Sequence, residues 1–298
     1  MIILQNLNKR TLSIILMVLG SVIISFNGLV LRNIETADNW TVIFYRAVSF
    51  STAVFLVLLF KYRQRVFLQI TQIGPSGLLA GMSLGTANIC FILSMTVTTV
   101  ANTVFTISLI PFITAILALF FLKESLKRIT IYTMIGALVG LMVMFYGALN
   151  SGDFLGNALA LITAVSFSCF TLILRVSKNL EMLPCLILSG LIAITVSFVL
   201  KDGLLQISRH DMLLCFLLGG FMSAFVNCCF IFATKFLFAA EATLFFFIEI
   251  ALSPIWVWLF ANEIISRNTL VGGLLILISL FSRTLYLWRL EHLMSSKA

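Results

Sequence analysis

Glu249 stands in the stretch Phe245-Phe246-Phe247-Ile248-Glu249-Ile250, in the middle of a long apolar run. A charge at the centre of such a run costs roughly 2.5–3.5 kcal/mol in a bilayer. The carboxyl must therefore be neutral, paired, or turned toward a wet cavity. Ser253 and Trp256 follow at i+4 and i+7 and share its helix face. Two chemistries fit: a proton-coupling or substrate-amine site, and a neutral acid bonded between helices.

Other polar groups interrupt apolar runs in the same way. Gly81, Gly85 and Asn88 fall on one helix face, as do Gly220, Ala224 and Asn227. Small residues let helices approach closely, and the amide then bonds across the contact or lines a cavity. Ser21, Ser25 and Gly28 share a face with Asn27 beside it, and Ala164, Ser168 and Thr171 repeat the pattern. Serine and threonine also bond their own helix backbone. Asn102 and Thr106 share a face that leads to Pro111, and Pro254 follows Glu249 by about one and a half turns. Proline removes a backbone hydrogen bond and kinks a helix, so Pro111 and Pro254 are candidate hinges. The candidate cavity residues are Asn27, Asn88, Asn102, Thr106, Asn227, Glu249, Ser253 and Trp256. Phe91, Phe230 and Trp256 are aromatic residues that either shape a cavity or pack the core.

Charges nearer the ends of the runs have plainer readings. Arg46 lies several residues into its run. It is expected to snorkel outward, to pair with Asp38 or Glu35, or to touch a substrate. Glu124 and Glu263 stand beside Lys123, Lys127, Arg128 and Arg267, which suggests ion pairs at helix ends. Gly136 and Gly140 form a G-x-x-x-G helix-contact pattern.

These residues belong to a chain of 298 residues that is 61% hydrophobic and 10% charged. Soluble domains hold about 25% charged residues, so this chain needs lipid as its solvent. Crossing the hydrocarbon core takes about 20 apolar residues. Apolar runs near 12–31, 41–60, 74–95, 98–122, 127–147, 154–174, 182–200, 212–233, 239–260 and 266–288 predict ten transmembrane helices. The expected fold class is an all-α integral membrane protein. The first run is too long for a typical signal peptide and is read as a retained span.

The formal charge of +8 sits in the short gaps between runs and forms no continuous nucleic-acid patch. With the N-terminus inside, the inner gaps hold Lys9, Arg10, Lys61, Arg63, Arg65, Lys123, Lys127, Arg128, Arg175, Lys178, Lys235, Arg283, Arg289 and Lys297. The outer gaps hold Arg32, Lys201, Arg209 and Arg267. This bias predicts two cytoplasmic termini.

The two halves repeat each other. Asn88 and Asn227 stand 139 positions apart, as do Gly81 and Gly220, Cys90 and Cys229, and Glu124 and Glu263. Ser25 and Ser168, like Arg32 and Arg175, stand 143 apart. The difference is about one helical turn. The polar break Asn150-Ser151-Gly152-Asp153 divides the chain into repeats at 1–149 and 150–298. Five spans per half would make the second half enter from the opposite side, an inverted repeat of the kind secondary transporters use.

Soluble-enzyme signatures are absent. There is no G-x-x-x-x-G-K-[ST], H-E-x-x-H or G-x-S-x-G, and ATP hydrolysis in the chain is not expected. Cysteines 90, 169, 185, 215, 228 and 229 lie in or beside apolar runs and form no C-x-x-C. His210 and His292 are far apart, so neither a metal site nor a cofactor is expected.

With those residues in view, the chain resembles the drug/metabolite transporter superfamily in its EamA-like branch. The resemblance rests on the two five-span halves and on Pro111-Phe112-Ile113-Thr114-Ala115 running to Leu122-Lys123-Glu124. Its counterpart in the second half is Glu249, Pro254-Ile255-Trp256-Val257-Trp258-Leu259-Phe260 and Glu263. Arg46 matches an arginine common in the family's second span. Pro111 and Pro254 depart from the 139 offset by about one turn, and Arg32 stands where many members carry lysine. The resemblance implies a central cavity walled mainly by spans 1, 3, 4, 6, 8 and 9, with 5 and 10 peripheral. It also implies alternating access by rocking bundles.

The expected function is secondary transport of a small metabolite, an amino acid or a related polar or amphipathic compound, with proton or exchange coupling. The alternatives are a membrane-embedded enzyme and a channel. The expected partners are the small-molecule substrate, the lipid bilayer and protons, with no nucleic acid. The expected state is a monomer or homodimer in the cell inner membrane.

Overall fold

The computed structural model describes residues 9–124, 126–146, 154–201, 205–261 and 267–295. The first apolar run forms α1 (Lys9–Ile24) and α2 (Asn27–Arg32), interrupted at Ser25 and Phe26. The second is α3 (Asn39–Tyr62), followed by a 3-10 turn (Arg63–Arg65) and the short α4 (Val66–Thr71). The third is the continuous α5 (Gly74–Val97). The fourth divides into α6 (Val100–Ile107) and α7 (Ile110–Leu117), then ends in a π-helical turn, Ala118–Leu122. α8 (Arg128–Met144), α9 (Phe154–Val176) and α10 (Cys185–Leu200) follow. The next run begins as α11 (Arg209–Phe216), widens to a π-helix over Leu217–Ser223, and returns as α12 (Ala224–Thr234). α13 (Ala239–Leu244) and α14 (Phe246–Ala261) are separated at Phe245, and α15 (Arg267–Ser295) closes the described chain.

Eight helical stretches are long and apolar enough to cross a membrane. Two further apolar helices, α8 with 17 residues and α10 with 16, are shorter. Every apolar run read from the sequence falls on one of these. The polar break at 150–153 and Glu263 lie outside the described residues.

Polarity is inverted relative to a soluble protein. Phe60, Phe120, Phe121, Phe154 and Phe198 are exposed on the flanks of the bundle. Monomeric soluble proteins rarely expose contiguous apolar surface on this scale. Lipid accounts for it.

Inside, α5 packs along α9, and α1 packs along α12. α10 packs against both α3 and α5, while the π stretch lies against α3. α8 and α15 form a pair at the periphery. Their contact confirms the glycine pattern: a Cβ on Gly140 would meet the Gly272 carbonyl at 2.8 Å. The interior between α9, α12 and α14 is filled by Phe167, Phe170, Phe230 and Phe246, with Phe167 and Phe246 5.2 Å apart and Phe230 and Phe246 5.4 Å apart. Phe230 is therefore a core residue.

Candidate functional site

A cleft opens where α3, α5, α10 and the end of the π stretch converge. It and the open solvent at its mouth together hold about 370 Å³ of space between atoms. Small residues make the room: Ala47 on α3, and Gly190 and Ala193 on α10. Ile43, Phe50 and Ile92 give it apolar walls, and Arg46, Asn88, Ser189 and Ser223 give it polar groups. These walls belong to the second, third, seventh and eighth apolar runs; the third and eighth are in the set that the resemblance implied, while the second and seventh replace its first, fourth, sixth and ninth. The reason is steric, because aromatic rings occupy the space between the sixth, eighth and ninth runs.

Arg46 narrows the sequence reading most. Its guanidinium Nη2 donates to Ser223 Oγ at 3.1 Å. It neither snorkels outward nor pairs with Asp38, which binds Lys201.

The π stretch explains how α3 comes so close. Gly219 and Gly220 lie against the α3 backbone at Arg46 and Ser49. Ser49 Oγ donates to the Cys215 carbonyl at 3.1 Å, beside the widened turn. Single π turns inside helices are frequent at functional sites.

Glu249, Ser253 and Trp256 lie along α14, which packs on α1, α2 and α15. Trp256 Nε1 donates to Ser25 Oγ at 2.7 Å, and its ring stacks on Phe26 at 4.3 Å. Ser253 comes close to Gly28, where a Cβ would sit 3.0 Å from the Ser253 hydroxyl. The buried Asn27 starts α2 directly after the interruption. The face that carries Glu249 therefore lies against the broken part of the first run.

A family model for the EamA-like transporter family matches residues 11–146 and 151–284. The chain belongs to the EamA-like transporter family. It is similar to an uncharacterized transporter of Clostridium kluyveri, at 30% identity over 191 residues. That match spans 59% of this chain and 58% of the relative's length. A solved crystal structure shares the fold with a TM-score of 0.79, at 13% identity, over 93% of this chain and 98% of that one. EamA belongs to the drug/metabolite transporter superfamily, and the chain is a multi-pass membrane protein of that family.

The remaining candidate residues of this EamA-like protein are dispersed. Asn227 Nδ2 donates to the Ser223 carbonyl of its own helix at 2.8 Å. Asn102 lies where α5, α6 and α9 meet. Its backbone N–H is capped by Thr99, and its amide reaches Thr98 at 3.4 Å. Thr106 is half-buried, just before the interruption at Ser108 and Leu109. Pro111 stands in the first turn of α7, directly after that interruption, and Ser168 Oγ donates to the Ile110 carbonyl beside it at 3.3 Å. α14 runs through Pro254 without interruption; the break in the ninth run falls at Phe245, about two and a half turns earlier.

Both ends of the bundle carry ionic contacts. At one end, Arg175 Nε donates to Glu124 at 2.6 Å and Arg175 Nη1 to the Thr234 carbonyl at 3.1 Å. Glu124 also accepts from the Ala239 N–H at 3.2 Å. Lys123 takes a left-handed conformation (φ 52°) immediately before Glu124. Nearby, the buried Glu241 binds Arg283 at 2.8 Å and Arg10 at 3.1 Å. At the opposite end the buried Asp211 accepts from the N–H groups of Glu35, Thr36 and Ala37 at 3.2, 2.9 and 3.1 Å, and from the Thr36 hydroxyl. The sequence reading named neither Glu241 nor Asp211 as a site. The one signal for Asp211 was Ser208 three residues before it, a helix-capping spacing. Among the described residues no cluster of His, Cys, Asp and Glu could hold a metal.

Proposed function

We propose that the protein is a secondary active transporter that moves a small metabolite, an amino acid or a related polar or amphipathic compound, by alternating access. The observation that carries this reading is the half-buried Arg46, bonded to Ser223 in a cleft that a π-helical stretch borders. Broken helices around a mid-membrane polar site are the design that alternating-access carriers use. Proton or exchange coupling is the energy source, with Glu249 as the group that exchanges a proton.

In this reading α8 and α10 also cross the membrane, which makes ten spans in two inverted repeats at 1–149 and 150–298. The packing supports it. Exchanging the first five runs for the last five turns the α5–α9 contact into α12–α1, and α10–α5 into α3 against the π stretch. It also maps the α8–α15 and α3–α10 contacts onto themselves. Arginine and lysine bias puts both termini on the cytoplasmic side of an inner membrane. The interruptions before Pro111 and at Phe245 would serve as the points of bending, with Pro111 and Pro254 stiffening the segments beyond them. Carrier function requires no partner chain, so a monomer or a homodimer would suffice.

The test is counterflow and uptake in proteoliposomes with labelled amino acids, nucleosides and vitamins, with and without a pH gradient. Saturable counterflow of at least one solute, at rates far below channel conductance, is the expected result. Accumulation that follows the pH gradient and is lost in Glu249→Gln would establish proton coupling. Single-channel currents would replace the carrier reading with a channel.

A further inference from the structure

We propose that a second recess, at the start of α8, holds a phosphate group, supplied by the headgroup of an anionic phospholipid or by soluble phosphate. The recess lies where the fourth run ends and where α8 and α13 begin. Glu124, Lys127, Thr130, Phe238 and Glu241 line it. It and the open solvent at its mouth together hold about 250 Å³ of space between atoms. Thr130 is 1% exposed, and its hydroxyl has no hydrogen-bond partner among the described residues. A buried polar group left without a partner is costly, and a ligand that bonds to it recovers that cost. Thr130 also belongs to the first turn of α8, a helix of 17 residues. The first N–H groups of a helix lack partners within it and favour an anion. Lys127 stands at the start of α8 and offers them no side-chain cap. Its ammonium adds a further donor at the same place.

The two acids that line the recess do not make it a cation site, because their oxygens are taken. Glu124 accepts from Arg175 on one oxygen and from the Ala239 N–H on the other. Glu241 meets Arg283 on one oxygen and Arg10 on both. Four cations, Lys127 among them, thus face two carboxylates, and the place keeps a net positive charge. The hydroxyl, the N–H groups and the ammonium can all donate, which suits phosphate oxygens.

The surroundings bring lipid to the mouth. Phe120 and Phe121, just before Glu124, and Ile131 and Tyr132, just after Thr130, are exposed. Acyl chains would lie against them. Lys123 and Arg128 are exposed at the same helix ends. Basic recesses between transmembrane helices are a known setting for anionic headgroups. A phosphate seated here would stand beside Glu124, and so beside the ion pair with Arg175 that ties the two halves together.

The experiment is titration of the full chain in a non-ionic detergent, read by native mass spectrometry and by thermal unfolding. The probes are phosphatidylglycerol, zwitterionic phosphatidylcholine, and inorganic phosphate compared with chloride at equal ionic strength. Phosphatidylglycerol should bind more tightly than phosphatidylcholine and raise the unfolding temperature. A rise with inorganic phosphate alone would make soluble phosphate the source, and a rise with the lipid alone would make it the headgroup. Thr130→Val removes only the hydroxyl. It should weaken binding of the effective probe roughly tenfold or more, the worth of a hydrogen bond to a charged group. Without any probe this variant should unfold no earlier than wild type, because its hydroxyl has no partner to lose. Lys127→Gln should weaken binding as well, and Lys127→Arg should keep most of it. Arg209→Gln, an exposed change at the opposite end of the bundle, should leave binding unchanged. Equal binding of the two lipids with no response to inorganic phosphate would overturn the inference. So would unchanged affinity in Thr130→Val, or a loss in Arg209→Gln as large as in Lys127→Gln.

Discussion

Arg175 Nε lies 2.6 Å from Glu124 Oε1, and the two residues come from opposite halves of the chain. The pair also gathers the Thr234 and Lys235 carbonyls and the Ala239 N–H, so four helix ends meet at one ion pair. Under the proposed alternating access, rocking of one half against the other would have to open this contact. Glu124→Gln should lower stability by about 1–3 kcal/mol, the range for hydrogen bonds to charged groups. A double-mutant cycle with Arg175→Gln, read by thermal unfolding in detergent, checks the coupling. Additive losses would show that the two residues act independently.

Glu241 should be the more sensitive site. It is 2% exposed and holds two guanidiniums, those of Arg10 and Arg283. Removing one partner of a buried pair costs about 3–5 kcal/mol, because the opposing charge is left buried. Glu241→Gln should therefore lower the unfolding temperature more than Glu124→Gln does. The same thermal assay ranks them, and the reverse order would contradict the assignment.

The Trp256–Ser25 contact joins α14 to the interruption in the first run. Ser25→Ala removes the acceptor for the indole N–H and should cost about 1 kcal/mol. Trp256→Phe keeps a ring against Phe26 and loses only the hydrogen bond, so its cost should be similar. Denaturant unfolding of both variants checks this, and a much larger loss in Trp256→Phe would assign the contact to packing.

Acid should loosen the end of the bundle that carries Glu181. Burial pushes this carboxyl up, but hydrogen bonds from Lys61 and Tyr62 and the charges of Lys235 and Lys61 outweigh it, holding it below its ordinary value of 4.5. A carboxyl depressed in the folded state contributes stability above its unfolded value and loses it as pH falls through the folded one. Wild-type stability should accordingly decline below about pH 4.5, and Glu181→Gln should flatten that part of the curve. Unfolding temperature measured from pH 3 to pH 7 checks the slope.

The apolar runs were legible because length and hydropathy alone decide which segments enter lipid. Glu249 was legible because a carboxyl inside such a run stands out. Arg46 stayed open among snorkelling, pairing and substrate contact, because its distance from the helix end suits each and spacing does not say which neighbour a face meets. The interruption at Ser25 and Phe26 carries no proline or glycine, so nothing local announced it. Gly219-Gly220 marked the widened turn only weakly, since paired glycines also serve close packing, as these do against Arg46 and Ser49. Asp211 and Glu241 escaped notice because acids near helix ends read as solvated. Only the tertiary arrangement shows which backbone or arginine closes over them.

With α8 and α10 counted as crossings, their 17 and 16 residues reach only about 25 Å along the helix axis. A typical hydrocarbon core is about 30 Å thick. The bilayer must thin beside these two helices, or their polar flanks must reach up to the headgroups. Thin membranes relieve that mismatch. The short helices thus bias the protein toward thin bilayers, and acyl-chain length becomes a variable that should tune its activity in reconstituted membranes.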